Sequence, residues 1–288
     1  MLELTAEIKD FLEGNGFGCS VLMRDGYEVI VVTTLDGRHR KTVLPLHINA
    51  SSIEEAAQNS EDACRCIDFI RAMEGYPLII TEDRWRKQKV LMQTRLLSHL
   101  ELFSQAFARN CEVRKIDKIQ AKAFLNENHS YGYAACRYCY GLFQKRATGH
   151  NESQRTGKLL AVATFSNART WMKGEQVIRS YEWTRYASLP DLRINGGMGK
   201  VLKMFIKEVR PDDIMSYADL EWSEGNVYRA LGFKTETDKK AVDFIIDGQT
   251  WERTPVRPGT IQNCSPADNL FFRNFGSKKF RLKLTDYE

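Results

Sequence analysis

The chain has 288 residues, 43% of them apolar and 11% aromatic, enough to build a full core in one large domain or two ordinary ones. Charged residues make up 27% and the net charge is only +5, which excludes a polycation that coats nucleic acid over its whole surface; any basic surface must be local. The longest apolar runs, VIVV at 29–32 and LLAVATF at 159–165, are far shorter than the roughly 20 residues a membrane-spanning helix needs.

The first segment, MLELTAEIKDFLEG, has Leu4, Ile8, Phe11 and Leu12 at helical spacing and predicts an acidic amphipathic helix. It lacks the cationic start and apolar centre of a signal peptide. Seven cysteines, an odd number without a secreted-protein spacing, point to a soluble protein of a reducing cytoplasm. Asp25-Gly26 and Asp36-Gly37 separate CSVLMR, YEVIVVTTL and RHRKTVLPL, which predicts a three-strand meander with both pairs as turns. Ser51 or Ser52 then caps an acid-rich helix, followed by the buried strand PLIIT and a basic helix from about 82 to 107.

This αβββαβ order resembles the core of restriction-endonuclease-like nucleases, which hold magnesium with an acid-x-Lys on the third strand. Here His39 stands two residues before Lys41 where that acid would be, so two-metal cleavage lacks a carboxylate. Residues 1–108 are therefore expected to form a small α/β domain, either a degenerate relative that contributes surface or an unrelated fold. Arg84, Arg86, Lys87, Lys89 and Arg95, interleaved with Trp85, form either a phosphate-contacting face or a solvated one opposite Val90, Leu91, Leu97 and Leu100.

From Cys111 the pattern changes to a strand, the helix KIQAKAFLNEN, and the strands ACRYCYGLF and GKLLAVATFS around a polar, basic loop from Gln144 to Lys158. Then come the strand QVIRSYEWTRYAS, a glycine-rich loop, the helix KVLKMFIKEV, the strand DIMSYAD, the short helix NVYRALGF and the hairpin AVDFIIDGQTWERT. The alternation predicts a mixed sheet with helices on both faces over 109–255. Leu202, Phe205, Ile206 and Val209 mark the buried face of the helix after Gly196, Gly197 and Gly199; Lys200, Lys203 and Lys207 mark the other. A glycine turn opening a helix offers unpaired amides and the positive dipole end, either a phosphate site or only a turn.

The order of NHSYG, Glu182-x-x-Arg185, the glycine loop, SYAD and GNVYRALGF resembles GNAT-type acyltransferase domains, most nearly those of phage Mom-type DNA adenine modification proteins and related phage homing-protein domains. The resemblance implies an acyl-CoA whose pyrophosphate lies on the amides around Gly196, Gly197, Met198, Gly199 and Lys200, with Asn226 nearby and the thioester between two splayed strands. It implies Tyr228 as the proton donor to the leaving thiolate. Asp219 and Glu182 are the implied base or substrate-positioning groups, with Arg185 holding a carboxylate or phosphate. Each also has a structural reading, as packing or an ion pair, and His129 is either a helix C-cap or a base near the acceptor. Arg193 stands one residue earlier relative to Gly197-Met198-Gly199 than the family pattern has it.

Cys136-x-x-Cys139, with Cys111 or His129, invites a zinc reading, but on a strand residues three apart face opposite ways, so no metal is expected. Cys64 and Cys66 read as small apolar filling. The extension 256–288 ends in FFRNFGSKKFRLKL, whose cations and aromatics suit nucleic acid, or an edge strand with alternating Phe280, Leu282 and Leu284. The combined expectation is an acyl-CoA-dependent transferase acting on DNA, contacted through Arg84, Arg86, Lys87, Lys89, Lys278, Lys279 and Arg281. The alternatives are a DNA-binding or nuclease-derived protein that no longer uses acyl-CoA, and a small-molecule or protein N-acetyltransferase.

Overall fold

The computed structural model describes residues 1–34, 37, 40–145, 157–257 and 269–287. Asp36, His39 and most of the basic loop between Gln144 and Lys158 lie outside them. The chain forms two compact units. Unit 1 is 1–101, 218–224 and 238–278; unit 2 is 102–217, 225–237 and 279–288. The division expected at 108/109 thus falls at 101/102, and much of the segment after 237 belongs with the N-terminal residues. No helix among the described residues is long and apolar enough to cross a membrane.

Unit 1 opens with α1 (Glu3–Gly14), β1 (Gly18–Arg24), β2 (Tyr27–Thr33), β3 (Arg40–Leu46), α2 (Ile53–Glu74) and β4 (Leu78–Thr81). Asp25 at φ 46° and Gly26 at φ 83° make the predicted turn, with left-handed backbone at both central residues. β1, β2 and β3 pair antiparallel and β4 joins β3 in parallel, in the order expected from the sequence. Alternation along the strands sends Ile30, Val32, Val43 and Ile80 to one face, against Leu4, Ile8 and Leu12 of α1. Val29, Leu44 and Ile79 face α2 through Ala63, Cys66, Ile67 and Ile70. Ser52 accepts the Glu55 amide and is the cap of α2. The basic stretch is not one helix: it breaks at Gln88 into α3 (Glu82–Lys87) and α4 (Lys89–His99). It then becomes the strand β5 (Ser104–Phe107).

Unit 2 continues with β6 (Cys111–Lys115), α5 (Lys118–Asn128), β7 (Tyr138–Gln144), β8 (Leu159–Phe165), β9 (Arg169–Lys173), β10 (Gln176–Ser188), β11 (Leu192–Asn195) and α6 (Gly197–Val209). β12 (Asp213–Asp219), α7 (Asn226–Ala230) and β13 (Lys234–Lys239) follow. The chain then forms β14 (Asp243–Asp247), β15 (Arg253–Pro255) and β16 (Asn269–Arg273), a small sheet in unit 1, before β17 (Ser277–Lys283). The main sheet runs β13-β17-β12-β10-β8-β7-β6, with β9 beside β10, and β11 pairs with β5. β17 lies between β13 and β12 with Phe280 fully buried, so it is an inner strand where an edge strand was one of the two expectations. Phe205 of α6 stacks on Phe165 of β8 at 3.8 Å, and Tyr138, Tyr140 and Tyr181 meet it edge-on. Burying such a ring contributes about 1.5–3 kcal/mol.

Candidate active site

The central feature of unit 2 is where β10 and β12 part. Their parallel register runs through Ser180↔Asp213, Tyr181↔Ile214 and Glu182↔Met215 and goes no further. Beyond it β10 stays paired with β8 on its other edge, from Trp183 to Ser188, with a bulge between Trp183 and Arg185. β12 runs on through Ser216, so the two strands diverge.

Ser216 spans the gap. Its Oγ is 3.0 Å from the Trp183 carbonyl oxygen and 2.9 Å from the Tyr228 hydroxyl. A serine has one proton to give. When it goes to the carbonyl, the Tyr228 O–H donates to Ser216; when it turns to Tyr228, the phenol oxygen is the acceptor. Tyr228 stacks on Phe280 at 5.3 Å and meets Trp183 and Phe233 edge-on, which fixes its ring. Burial pushes its pKa above the ordinary tyrosine value, against the lowering effects of Ser216 and Arg185. The phenol therefore carries its proton at neutral pH.

Glu182 and Arg185 lie on either side of the bulge. Arg185 donates Nε to the Gly132 carbonyl at 3.0 Å and an NH to the Thr184 carbonyl at 2.8 Å. No ion pair joins it to Glu182 among the described residues, so the sequence's structural alternative of a paired Glu-x-x-Arg is not what forms. Burial lowers the Arg185 pKa and the Glu182 carboxylate raises it.

The glycine loop has its own logic. Gly196 sits at φ 77°, a left-handed conformation that favours glycine, and is the N-cap of α6 without any side-chain cap. A Cβ on Gly197 would lie 2.9 Å from the Tyr186 hydroxyl and 3.0 Å from Ile194. The Lys200 amide donates to the Gly196 carbonyl at 3.0 Å and so begins the intrahelical ladder, which leaves Gly197, Met198 and Gly199 as the first-turn amides. Lys200 does not stand on the solvent side, where its spacing put it: Nζ donates to the Ala108 carbonyl at 2.7 Å and to that of Cys111. Val201, Leu202 and Phe205 form the buried stripe of α6. Arg193 points from β11 over the Phe103 ring, and Asn226 accepts from Arg229 at 2.6 Å.

The remaining candidates have local partners of their own. His129 is the C-cap of α5, and its Nδ1 accepts the Tyr131 amide at 3.1 Å. Asp219 belongs to the 218–224 segment of unit 1, where its carboxylate accepts the Glu221 amide at 2.9 Å and lies 3.5 Å from Arg84.

Sequence reasoning missed the constellation around Asp219. Arg253 grips Asp83 through Nε at 2.6 Å and an NH at 2.8 Å, and holds both oxygens of Glu221. Arg84 Nε donates to the same Glu221 at 3.0 Å. Arg95 ties down the carbonyls of Ile79, Glu221 and Trp222 and stacks on the Trp222 ring at 4.1 Å. Arg253 and Asp83, Arg84 and Glu221, and Arg95 and Trp222 are each more than a hundred residues apart, so no local spacing reveals them; the only signal is the charge-dense TEDRW.

The cations expected to meet DNA are mostly engaged as well. Arg84, Arg86, Lys87, Lys89, Lys279 and Arg281 each lie within an ion-pair distance of a carboxylate, from Glu221, Glu7, Glu252, Glu7, Glu236 and Asp213 respectively.

Strand alternation does not separate the CxxC pair. β7 begins at Tyr138, so Cys136 precedes the strand and its sulfur lies 3.4 Å from that of Cys139. Among the described residues no group of three or more His, Cys, Asp or Glu is placed to hold a metal ion.

No family model matches the chain, and no curated protein matches it. Among solved structures it is similar to a conserved protein of unknown function from Enterococcus faecalis V583, a probable N-acyltransferase, at 13% identity and TM-score 0.34, over 49% of this chain and 36% of that one. It is similar to Eis1 from Mycobacterium abscessus at 16% identity and TM-score 0.34, over 51% and 36%. The chain thus spans about a third of the length of these two. Ribosomal-protein-S5-alanine acetyltransferase from Vibrio fischeri matches at 12% identity and TM-score 0.36, over 62% of this chain and 96% of that one. All three likenesses are distant, and the functional reading rests on the geometry of the chain itself.

Proposed function

We propose that unit 2 is an acyl-CoA-dependent acyltransferase of GNAT type. The observation that carries this reading is the parting of β10 and β12 beyond Glu182 and Met215, with the Tyr228 hydroxyl held at the opening by Ser216. The free first-turn amides of α6 supply the other requirement. Gly197, Met198 and Gly199 fit a pyrophosphate, with the helix dipole adding to the attraction. Lys200 is left out of that set because its amide and its ammonium are both engaged. The acyl thioester then occupies the gap between the strands.

In this reading Tyr228 protonates the departing thiolate, and the Ser216 proton swings from the Trp183 carbonyl to the phenolate that results. Glu182 is assigned as the base or positioning group for the acceptor amine. Asp219 is not assigned that role, since its carboxylate is already held by the Glu221 amide beside Arg84. Arg185 is a positioning residue that ties β10 to Gly132, and His129 a helix cap.

For the acceptor, the sequence supports a base amine of DNA. Support for it is reduced by the carboxylates on six of the seven cations, because a neutralised cation displaces few counterions from a phosphate backbone. Calorimetric titration with acetyl-CoA tests the donor, and nucleoside mass spectrometry on DNA from expressing cells tests the acceptor. Acetyl-CoA binding that Gly197→Ala weakens is the expected result. An absence of any binding sinks the reading. Tyr228→Phe should lower kcat by about 10²–10⁴-fold while leaving acetyl-CoA affinity unchanged, the loss typical of one general acid.

A further inference from the structure

The motif the proposed activity leaves unused is Cys136-x-x-Cys139. The two sulfurs are 3.4 Å apart, and the Tyr133 hydroxyl lies 3.4 Å from that of Cys136. Cys136 belongs to the irregular segment between α5 and β7; Cys139 is anchored in β7, paired with Thr164. Around them pack Ala121, Leu125, Val162 and Ala187, an apolar setting in which a lone thiol would be inert filling. Two thiols in van der Waals contact are different. A disulfide needs sulfurs about 2.05 Å apart, so little more than an ångström of movement joins them, and the irregular segment carrying Cys136 supplies it.

We propose that Cys136 and Cys139 form a redox-active dithiol, oxidised to a disulfide by a hydroperoxide. Cys136 is assigned as the nucleophile, since its sulfur lies against two groups able to donate to a thiolate, the Tyr133 hydroxyl and the Cys139 thiol, whereas the Cys139 sulfur has one such neighbour among the described residues. The Cys139 thiol and then Tyr133 pull the Cys136 pKa down to about 6 against its burial, while the same contact with Cys136 raises that of Cys139. One thiolate and one retained proton are what the chemistry needs. The Cys136 thiolate attacks the peroxide: an S–O bond forms, the O–O bond breaks, and the departing alkoxide takes a proton from solvent. Cys139 then attacks the sulfenic sulfur. The S–S bond forms, the S–O bond breaks, and the Cys139 proton leaves in the water released. The dithiol loses two electrons and the peroxide gains them.

The site stands independently of the transferase reading. To test it, the reduced full-length protein is titrated with hydrogen peroxide to one equivalent. Remaining thiols are alkylated with iodoacetamide, and the protein is reduced and labelled with N-ethylmaleimide. The expected result is that Cys136 and Cys139 carry the second label together, ahead of the other five cysteines, Cys19, Cys64, Cys66, Cys111 and Cys264, and that the intact protein loses the mass of two hydrogens before re-reduction. Cys139→Ser should leave a Cys136 sulfenic acid that dimedone traps; Cys136→Ser should leave Cys139 unoxidised. Overturning results are first-label retention on both wild-type cysteines, oxidation of one without the other, or stoichiometric zinc in the purified protein.

Discussion

Arg253 shows what single residues contribute to unit 1. Its guanidinium satisfies Asp83 and Glu221, both almost wholly buried, and a carboxylate left in that place without a partner costs far more than the pair gains in water. Arg253→Ala should destabilise the protein by about 3–5 kcal/mol, read as a lowered denaturation midpoint; Arg253→Lys should recover only part, since an ammonium cannot grip two carboxylates in a fork. The same pairs set the acid limit. Burial alone would raise the Asp83 pKa, but the Arg253 charge and hydrogen bonds outweigh it and the group titrates below its ordinary 3.8. Hydrogen bonds from Trp85, Lys89 and Arg86 likewise overcome burial at Glu7 and pull it down to about 2. A depressed carboxyl stabilises the fold above its unfolded pKa, and the contribution is lost as pH falls through the folded value. Stability should therefore be flat above about pH 5 and fall between about pH 4 and pH 2. In Arg253→Ala the fall should start at higher pH.

At the level of elements, α6 depends on two glycines for different reasons. Gly196 supplies a left-handed backbone, whereas Gly197 supplies room beneath the Tyr186 hydroxyl and Ile194. Gly197→Ala should cost about 1–3 kcal/mol by overpacking, measured by chemical denaturation, alongside its effect on acetyl-CoA titration. The glycines, the stripe of Val201, Leu202 and Phe205, and the meander turn at Asp25-Gly26 were legible because their signals are local. The break at Gln88 was not, since nothing in RWRKQKVLM is a helix breaker by composition. The β9–β10 hairpin around Gly174 escaped because ARTWMKGEQ lacks the apolar alternation of a half-buried strand, and β9 is exposed throughout. Within the proposed site, Tyr228 is singled out by its motif, while Ser216 is not. A serine one residue before a tyrosine on a strand carries no signal until the fold sets the Trp183 carbonyl and the Tyr228 phenol on opposite sides of it.

For the whole molecule, the units are interleaved in sequence, with the chain passing between them at 101/102, 217/218, 224/225, 237/238 and 278/279. Unit 1 draws Glu221 and Trp222 from one return and Arg253 from another. A fragment of residues 1–101 has the α/β core but leaves Asp83, Arg84 and Arg95 without those partners. It should show no cooperative unfolding transition by circular dichroism, whereas the full chain should. Cooperative melting of the fragment would mean that the ionic cluster adds little to unit 1.

The interleaving also bears on how the protein is made. On a ribosome residues 1–101 emerge before the distant partners of their buried arginines, Glu221 and Trp222, which follow about 120 codons later. At roughly 5–20 residues per second that is a wait of about 6–24 s, during which Arg84 lacks the Glu221 carboxylate, Arg95 lacks two of its three carbonyl partners, and the surface that Trp222 covers stays open. A slow codon between about 101 and 222 should lengthen that interval, whereas one beyond Arg253 should leave it unchanged.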